Sequence, residues 1–220
     1  MNNNHLYDNS YFIKRDGTDV KRQLAFLAEK EFIGKHVPCG SMMDVGCSTG
    51  EFFEAIDWQG PRFGMEISEH AIEIAKTKNI SFKKNLLTEK SGFDVIVFRG
   101  TIQHIDTPFL YMKKSFDALR KGGYVVFLAT PNANSFYYKR WNTLPFLDSS
   151  LNFYIPSDRS LVNAMQNFGF TFIDIEYPYL DSPYSSFFRD HINFIMKILG
   201  KNVKFPFWRN SMNVIFKKNK

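Results

Sequence analysis

Two glycines and one acid set the first chemical question. In "MMDVGCSTGEFFEAI", residues 42–56, an apolar run carries Asp44, Gly46 and Gly50 bound a turn, and apolar residues resume at once with helical spacing. Glycine removes the side chain where backbone must approach a ligand closely. A strand that leaves through such a turn into a helix can hold a small molecule against its backbone amides. Glu66 stands twenty residues past Gly46, at the end of "RFGMEI". A carboxylate at that distance accepts hydrogen bonds from ribose hydroxyls. The dinucleotide pattern G-x-G-x-x-G is not met, because Gly46 and Gly50 flank Cys47, Ser48 and Thr49 and no glycine follows three residues on. The expected ligand contains a ribose without a bridging pyrophosphate.

Histidine is the side chain that gains and loses a proton near neutral pH, so it is the natural general base for a hydroxyl acceptor. His104, in "RGTIQHID", follows an apolar strand and is the leading candidate for that role. The alternative is a histidine bonded to backbone that shapes the wall of the site. His191 beside Asp190 is the second candidate, with a surface pair as its alternative role.

The elements that must position these residues follow from periodicity. "TDVKRQLAFLAEKEFIG" puts Val20, Leu24, Leu27 and Phe32 near one helical face, opening at Thr18 or Asp19 and stopping at Gly34. "SMMDV", "RFGMEI", "ISFKKN", "FDVIVF" and "YVVFLA" read as successive strands. Ser68 caps the helix after the second. The helix "TPFLYMKKSFDALRKGG" has Thr107 as cap, Pro108 at its first position and a Gly-Gly stop. Ser157 then caps a helix through Phe168, Gly169 ends it, and "FTFIDIEY" and "MNVIFKK" close the pattern as strands.

Alternation at this spacing predicts an α/β chain with a doubly wound, mostly parallel seven-stranded sheet, its last strand antiparallel. At 220 residues one domain over 1–220 is expected, with a cap and helix over 1–36 and aromatic insertions over 131–156 and 178–208. The 24 Phe and 10 Tyr, an aromatic share of 17%, call for a site or cap to account for them.

Five segments in order, "DVGCSTGEF", "GMEIS", "FDVIVFRGTIQHIDTP", "LRKGGYVVFLATPN" and "FGFTFIDIE", resemble class I S-adenosylmethionine-dependent methyltransferases. The likeness is to the small-molecule branch that includes quinone-biosynthesis enzymes, over roughly residues 40 to 176. The later "YPYLDSPYSSFFRDHINF" and "FPFWRNSMNVIFKK" are similar, more weakly, to methyltransferases found with bacterial surface-glycan genes. The resemblance implies S-adenosylmethionine as cofactor and S-adenosylhomocysteine as product. Asp44, Gly46, Cys47, Ser48 and Gly50 would surround its methionine end, Ser48 standing where the family has a middle glycine. Glu66 would hold the ribose and Ile67 would lie against adenine. Asn85, where the family often has an acid, and Leu86 would meet the adenine edge. Arg99 and Gly100, after the fourth strand, complete the set.

Methyl transfer from a sulfonium is an in-line displacement and requires neither a metal nor a covalent intermediate. The expected acceptor is a small molecule, phosphorylated or nucleotide-linked: a hydroxyl of a nucleotide- or lipid-linked sugar in surface polysaccharide synthesis. Tyr11, Tyr138, Arg140, Tyr184, Arg189 and His191 are its candidate contacts, since aromatic faces suit sugar rings and arginine meets phosphate. The alternatives are a quinone or other aromatic hydroxyl, and a cofactor-binding partner protein without transfer activity.

The net charge of +6 is scattered, so no nucleic-acid groove is expected. The loop after the fourth strand reads Arg99-Gly100-Thr101-Ile102 and lacks the Asp/Asn-Pro-Pro-aromatic sequence of nucleobase amino methyltransferases. Two cysteines, no apolar span and no cationic leader make cytoplasmic residence the expectation. No stable membrane association is expected, although "HINFIMKILG" can form an amphipathic helix. The oligomeric state stays open.

Overall fold

The computed structural model describes residues 20–90, 92–145, 147, 151–180 and 182–219. Helix α1 (Val20–Gly34) precedes β1 (Met42–Val45), α2 (Glu51–Ala55), β2 (Arg62–Met65), α3 (Glu69–Lys76), β3 (Ser81–Phe82) and β4 (Phe93–Arg99). There follow α4 (Pro108–Ala118), β5 (Leu119–Pro131), α5 (Phe136–Trp141), α6 (Asp158–Asn167), β6 (Phe170–Glu176), α7 (Phe187–Ile198) and β7 (Ser211–Lys218).

The strands form one sheet in the order β3-β2-β1-β4-β5-β7-β6. β1 pairs in parallel with both β2 and β4, so the order reverses between β1 and β4. β7 runs antiparallel between β5 and β6. This is the doubly wound arrangement expected, with its last strand reversed. Met42, Met43, Asp44 and Val45 are all buried, as a central strand covered on both faces requires. One core lies on the face of α4 and α6, around Phe98, Met112, Leu161 and Phe216; the other gathers Phe26, Phe32, Phe53, Val97 and Val126.

Two expectations are corrected. The inner face of α1 is not the stripe of Val20, Leu24 and Leu27, which are exposed; Phe26, Glu29, Phe32 and Ile33 are buried instead. The polar Glu29 interrupts the true face, and its burial is made possible by an ion pair with Arg99. Helix α4 ends at Ala118, before the Gly-Gly pair: Leu119 already pairs with Phe93, and Gly122 and Gly123 lie within β5. The ladder shifts register between Phe93 and Val95, and a Cβ on Gly123 would come 2.9 Å from the Asp94 carbonyl. The glycines therefore serve close strand approach, not helix termination.

Other local signals hold. Pro108 opens α4, although the Thr107 hydroxyl donates to Asp106 and makes no cap bond. Ser157 forms a reciprocal capping box with Ser160 at the start of α6. Thr18 and Asp19, read as the start of α1, lie outside the described residues.

The two aromatic insertions meet in a third cluster in which Tyr137, Leu144 and Phe205 are buried. Phe194 of α7 stacks on Phe207 with ring centroids 5.0 Å apart. This cluster is anchored to the sheet through Asp158, which accepts from Tyr177 Oη and Arg209 Nη2 at 2.7 Å and from Asn134 Nδ2 at 2.8 Å. Those bonds hold the Asp158 carboxyl down at about 2.

Candidate active site

The reversal of strand order between β1 and β4 opens a crevice at the carboxyl ends of the strands. There β1 leaves through Gly46, whose φ of +79° is left-handed, and the turn ends at Gly50 with φ +77°. A Cβ on Gly46 would stand 2.7 Å from the Thr101 side chain, so backbone and the β4 exit loop approach as closely as they do only because this residue is glycine. Ser48, at the position of the family's middle glycine, also takes a positive φ, +51°.

Against this turn lies a cavity of about 190 Å³ lined by Asp44, Gly46, Cys47, Ser48, Thr49, Glu51, Phe52, Arg99 and Gly100, and closed by Arg22 and Phe26 of α1. Asp44 is its chemical centre. The side chain is buried, and Oδ1 has no hydrogen-bond partner among the described residues. Burial pushes its pKa up to about 7; the Arg99 guanidinium opposes that shift, and the Glu66 and Glu29 carboxylates add to it. A buried carboxylate with a bare oxygen is a site for a cationic group. The Cys47 thiol is held neutral by burial, with its pKa well above the ordinary value, and offers no nucleophile.

Glu66 Oε2 accepts from Ser48 N at 2.9 Å, while Oε1 accepts from Ile67 N at 2.7 Å and Ser68 N at 3.0 Å. Three backbone donors fix the carboxylate at the tip of β2 beside the glycine turn, and a carboxylate has capacity for further donors. Ile67 is exposed next to it. Asn85 turns its oxygen to Leu87 N at 2.9 Å, and the Leu86 side chain is fully buried in the core, so only the Leu86 backbone can face a ligand.

Arg99 divides this space from a larger one. Its Nε and Nη2 donate to the two Glu29 oxygens at 2.6 and 3.1 Å, and its guanidinium lies 4.3 Å from the Phe26 ring centroid. Beyond it a cavity of about 630 Å³ extends between α1, the ends of β4 to β7 and the aromatic insertions. Its wall is largely apolar, with Leu144, Leu147, Tyr177, Tyr184, Phe207 and five prolines. Its charged groups are Glu29, Glu31 and Glu176 against Lys35 and Arg99. Two lining amides are incompletely bonded: Gln103 Oε1 and both polar atoms of the Asn210 side chain are buried without a partner among the described residues.

His104 lines neither cavity. Its Nδ1 meets the Leu151 carbonyl at 2.7 Å, which makes Nδ1 the protonated nitrogen, and its Nε2 faces Gln103 Nε2 at 3.3 Å as acceptor. Gln103 also takes the backbone N–H groups of Phe153 and Tyr154 on its carbonyl. The Ile102–His104 turn thus ties the β4 exit loop to residues 151–154.

Of the expected acceptor contacts, only Tyr184 lines the larger cavity. Tyr138 sits in the aromatic cluster of the insertions, and Arg140 is exposed. Arg189 donates to the Tyr184 carbonyl at 3.1 Å. His191 Nδ1 donates to the Phe187 carbonyl at 2.6 Å, and Asp190 takes Ser186 N and Tyr179 Oη instead of pairing with it. Tyr11 lies outside the described residues. Sequence reading missed Arg22, Phe26 and Glu29. Their spacing of four and three residues marks one helical face, but nothing local says that the face closes a site.

A crevice at the switch point of a sheet ordered 3-2-1-4-5-7-6, floored by a glycine turn and with an acid at the tip of the next strand, defines a Rossmann-like ligand-binding protein. The methyltransferase domain family model matches residues 12–175, and the chain belongs to that family. It is similar to the demethylmenaquinone methyltransferase of Lactococcus lactis, 30% identical over an alignment of 128 positions that covers 49% of this chain and 51% of that protein. The tRNA U34 carboxymethyltransferase of Desulfotalea psychrophila is 24% identical over 77% of this chain and 57% of its own. The chain thus spans about half the length of the curated relatives it matches. Among solved structures, a SAM-dependent methyltransferase from Thermotoga maritima shares the fold with a TM-score of 0.67 at 20% identity, covering 96% of this chain and 97% of that one. Bare Asp44 Oδ1, the backbone left open at the two left-handed glycines and the Glu66 carboxylate have the chemistry to take an ammonium, a close-lying ligand and ribose hydroxyls, groups that S-adenosylmethionine would present.

Proposed function

We propose that this protein transfers the methyl group of S-adenosylmethionine to a ring hydroxyl of a small, largely apolar acceptor of the quinol or phenol kind. The observation that carries the reading is the shared wall: Arg99 borders both the cavity that holds Asp44 and the larger apolar cavity beyond it. Alignment of an acceptor behind the methyl carbon, away from water, is the main contribution such a pair of cavities makes. The cofactor, when bound, supplies an electrophilic methyl group on a sulfonium. Asp44 holds its ammonium, Glu66 its ribose, and the bare Gln103 Oε1 and the Asn210 amide meet the acceptor's hydroxyl and oxygen.

His104 acts in this reading as a positioning residue, because both ring nitrogens are engaged and the ring lines neither cavity. Glu176 is the proton acceptor. It lines the larger cavity, burial raises its pKa, and Asn213 Nδ2 at 2.7 Å lowers it only in part. The similarity to a demethylmenaquinone methyltransferase supports an apolar ring as the acceptor body. A nucleotide- or lipid-linked sugar is the second reading, favoured by the ring faces of Tyr177, Tyr184 and Phe207. It has less support, since Arg140 and Arg189 stand outside the cavity lining and three carboxylates stand within it.

Titration calorimetry and an acceptor screen test the proposal. Heat is expected with S-adenosylmethionine and with its demethylated product, and Glu66→Ala should weaken both. Release of S-adenosylhomocysteine should be faster with reduced quinones and phenols than with nucleotide sugars. Absence of heat with either cofactor form would sink the transfer reading; turnover with nucleotide sugars alone would replace the acceptor.

A further inference from the structure

Helix α7 turns an apolar face outward. Phe188, Ile192, Ile195 and Leu199 recur at spacings of four, three and four residues, which puts them on one side of the helix, and Phe188 is 80% exposed. The opposite side is the packed one: Asp190 is fully buried, and Phe194 stacks on Phe207. Among the described residues of the two insertions every exposed charged side chain is basic: Lys139, Arg140, Arg189, Lys201 and Lys204.

We infer that this face docks reversibly on an anionic membrane surface, against the sequence expectation of no stable membrane association. An apolar helix face with exposed Arg189 in the same helix and exposed Lys201 and Lys204 just beyond its end suits the boundary between acyl chains and acidic headgroups. The same cations disfavour a second copy of the chain, because a two-fold contact through α7 would bring like charges together. No helix among the described residues is long and apolar enough to cross a membrane, so the contact is one of a helix lying in the surface plane. Phe207 belongs both to the α7 packing and to the wall of the larger cavity, so on docking α7 would lie between that cavity and the lipid. The inference does not depend on the identity of the acceptor.

Co-sedimentation of the full chain with vesicles of phosphatidylcholine, with and without phosphatidylglycerol, reads this out. Retention is expected on the anionic vesicles and should fall with added salt. The triple variant Phe188→Ser, Ile192→Ser, Ile195→Ser should abolish it, with the circular dichroism spectrum unchanged because these side chains are exposed. The pair Lys201→Glu, Lys204→Glu should lower partitioning about tenfold or more, and it decides the matter if the triple variant does not fold. Failure of the parent chain to sediment with anionic vesicles overturns the inference, as does retention that neither variant reduces. A dimer seen by analytical ultracentrifugation and dissolved by the triple variant also overturns it, and assigns the face to a second copy.

Discussion

Asp44 is where burial and charge meet most sharply. Its carboxyl titrates at about 7 in the fold against an ordinary value of 3.8, so the folded chain binds a proton there that the unfolded chain releases. Its contribution to stability is full below the unfolded value and is lost as pH rises through about 7. The sign for the cofactor is the reverse: an ammonium beside Asp44 favours the ionised form, so binding below pH 7 should expel a proton. Calorimetry in buffers of different ionisation heat is expected to detect that release. Asp44→Asn should abolish it and weaken binding roughly tenfold or more, since a hydrogen bond to a charged group contributes about 1.5–3 kcal/mol. A second residue prediction separates Glu176 from His104. Glu176→Gln should lower turnover on the order of a hundredfold and remove the acid limb of the pH–rate profile with cofactor affinity intact. His104→Ala should keep that limb while weakening acceptor binding, because it frees the Gln103 side chain and the Leu151 carbonyl.

At the scale of elements, the turn between β1 and α2 is the most constrained piece of chain. Gly46→Ala meets two penalties, a left-handed φ of +79° and a Cβ 2.7 Å from Thr101. The first alone costs about 1–2 kcal/mol. The variant is expected to melt earlier in a thermal scan and to bind S-adenosylmethionine measurably less well, because relief of the clash moves the loop off the β4 exit. The α1 helix shows how an element's role escapes local reading. Its packed face contains Glu29, so a count of apolar positions selects the exposed stripe of Val20, Leu24 and Leu27 instead. What makes Glu29 burial tolerable is Arg99, seventy residues away in sequence. The Gly122-Gly123 pair misleads for the same reason: it resembles a helix stop locally, whereas pairing of Leu119 with Phe93 fixes the strand start.

For the whole molecule, cofactor binding and folding are linked. Ligand at a hundred times its dissociation constant stabilises the native state by about 2.7 kcal/mol, which for a domain of this size is a rise of roughly 5–10 °C in Tm. A dye-binding melt with and without S-adenosylmethionine checks it, and Glu66→Ala should shrink the shift. The sequence by itself determined the sheet class, the order of its elements, the glycine turn and the acid on the next strand. Those signals are local: period-two and period-3.6 patterns, capping residues and one fixed spacing survive without knowledge of any distant contact. Tertiary structure alone decided that Arg22 and Phe26 of α1 close the smaller cavity, that Glu29 pairs with Arg99 at the larger one, and that His104 is bound to the Leu151 carbonyl. It alone also joined two insertions into a single aromatic cluster beside the larger cavity and turned the apolar side of α7 outward. Each of these depends on which surfaces face one another after the crossovers are made, and a chain read in one dimension carries no record of that.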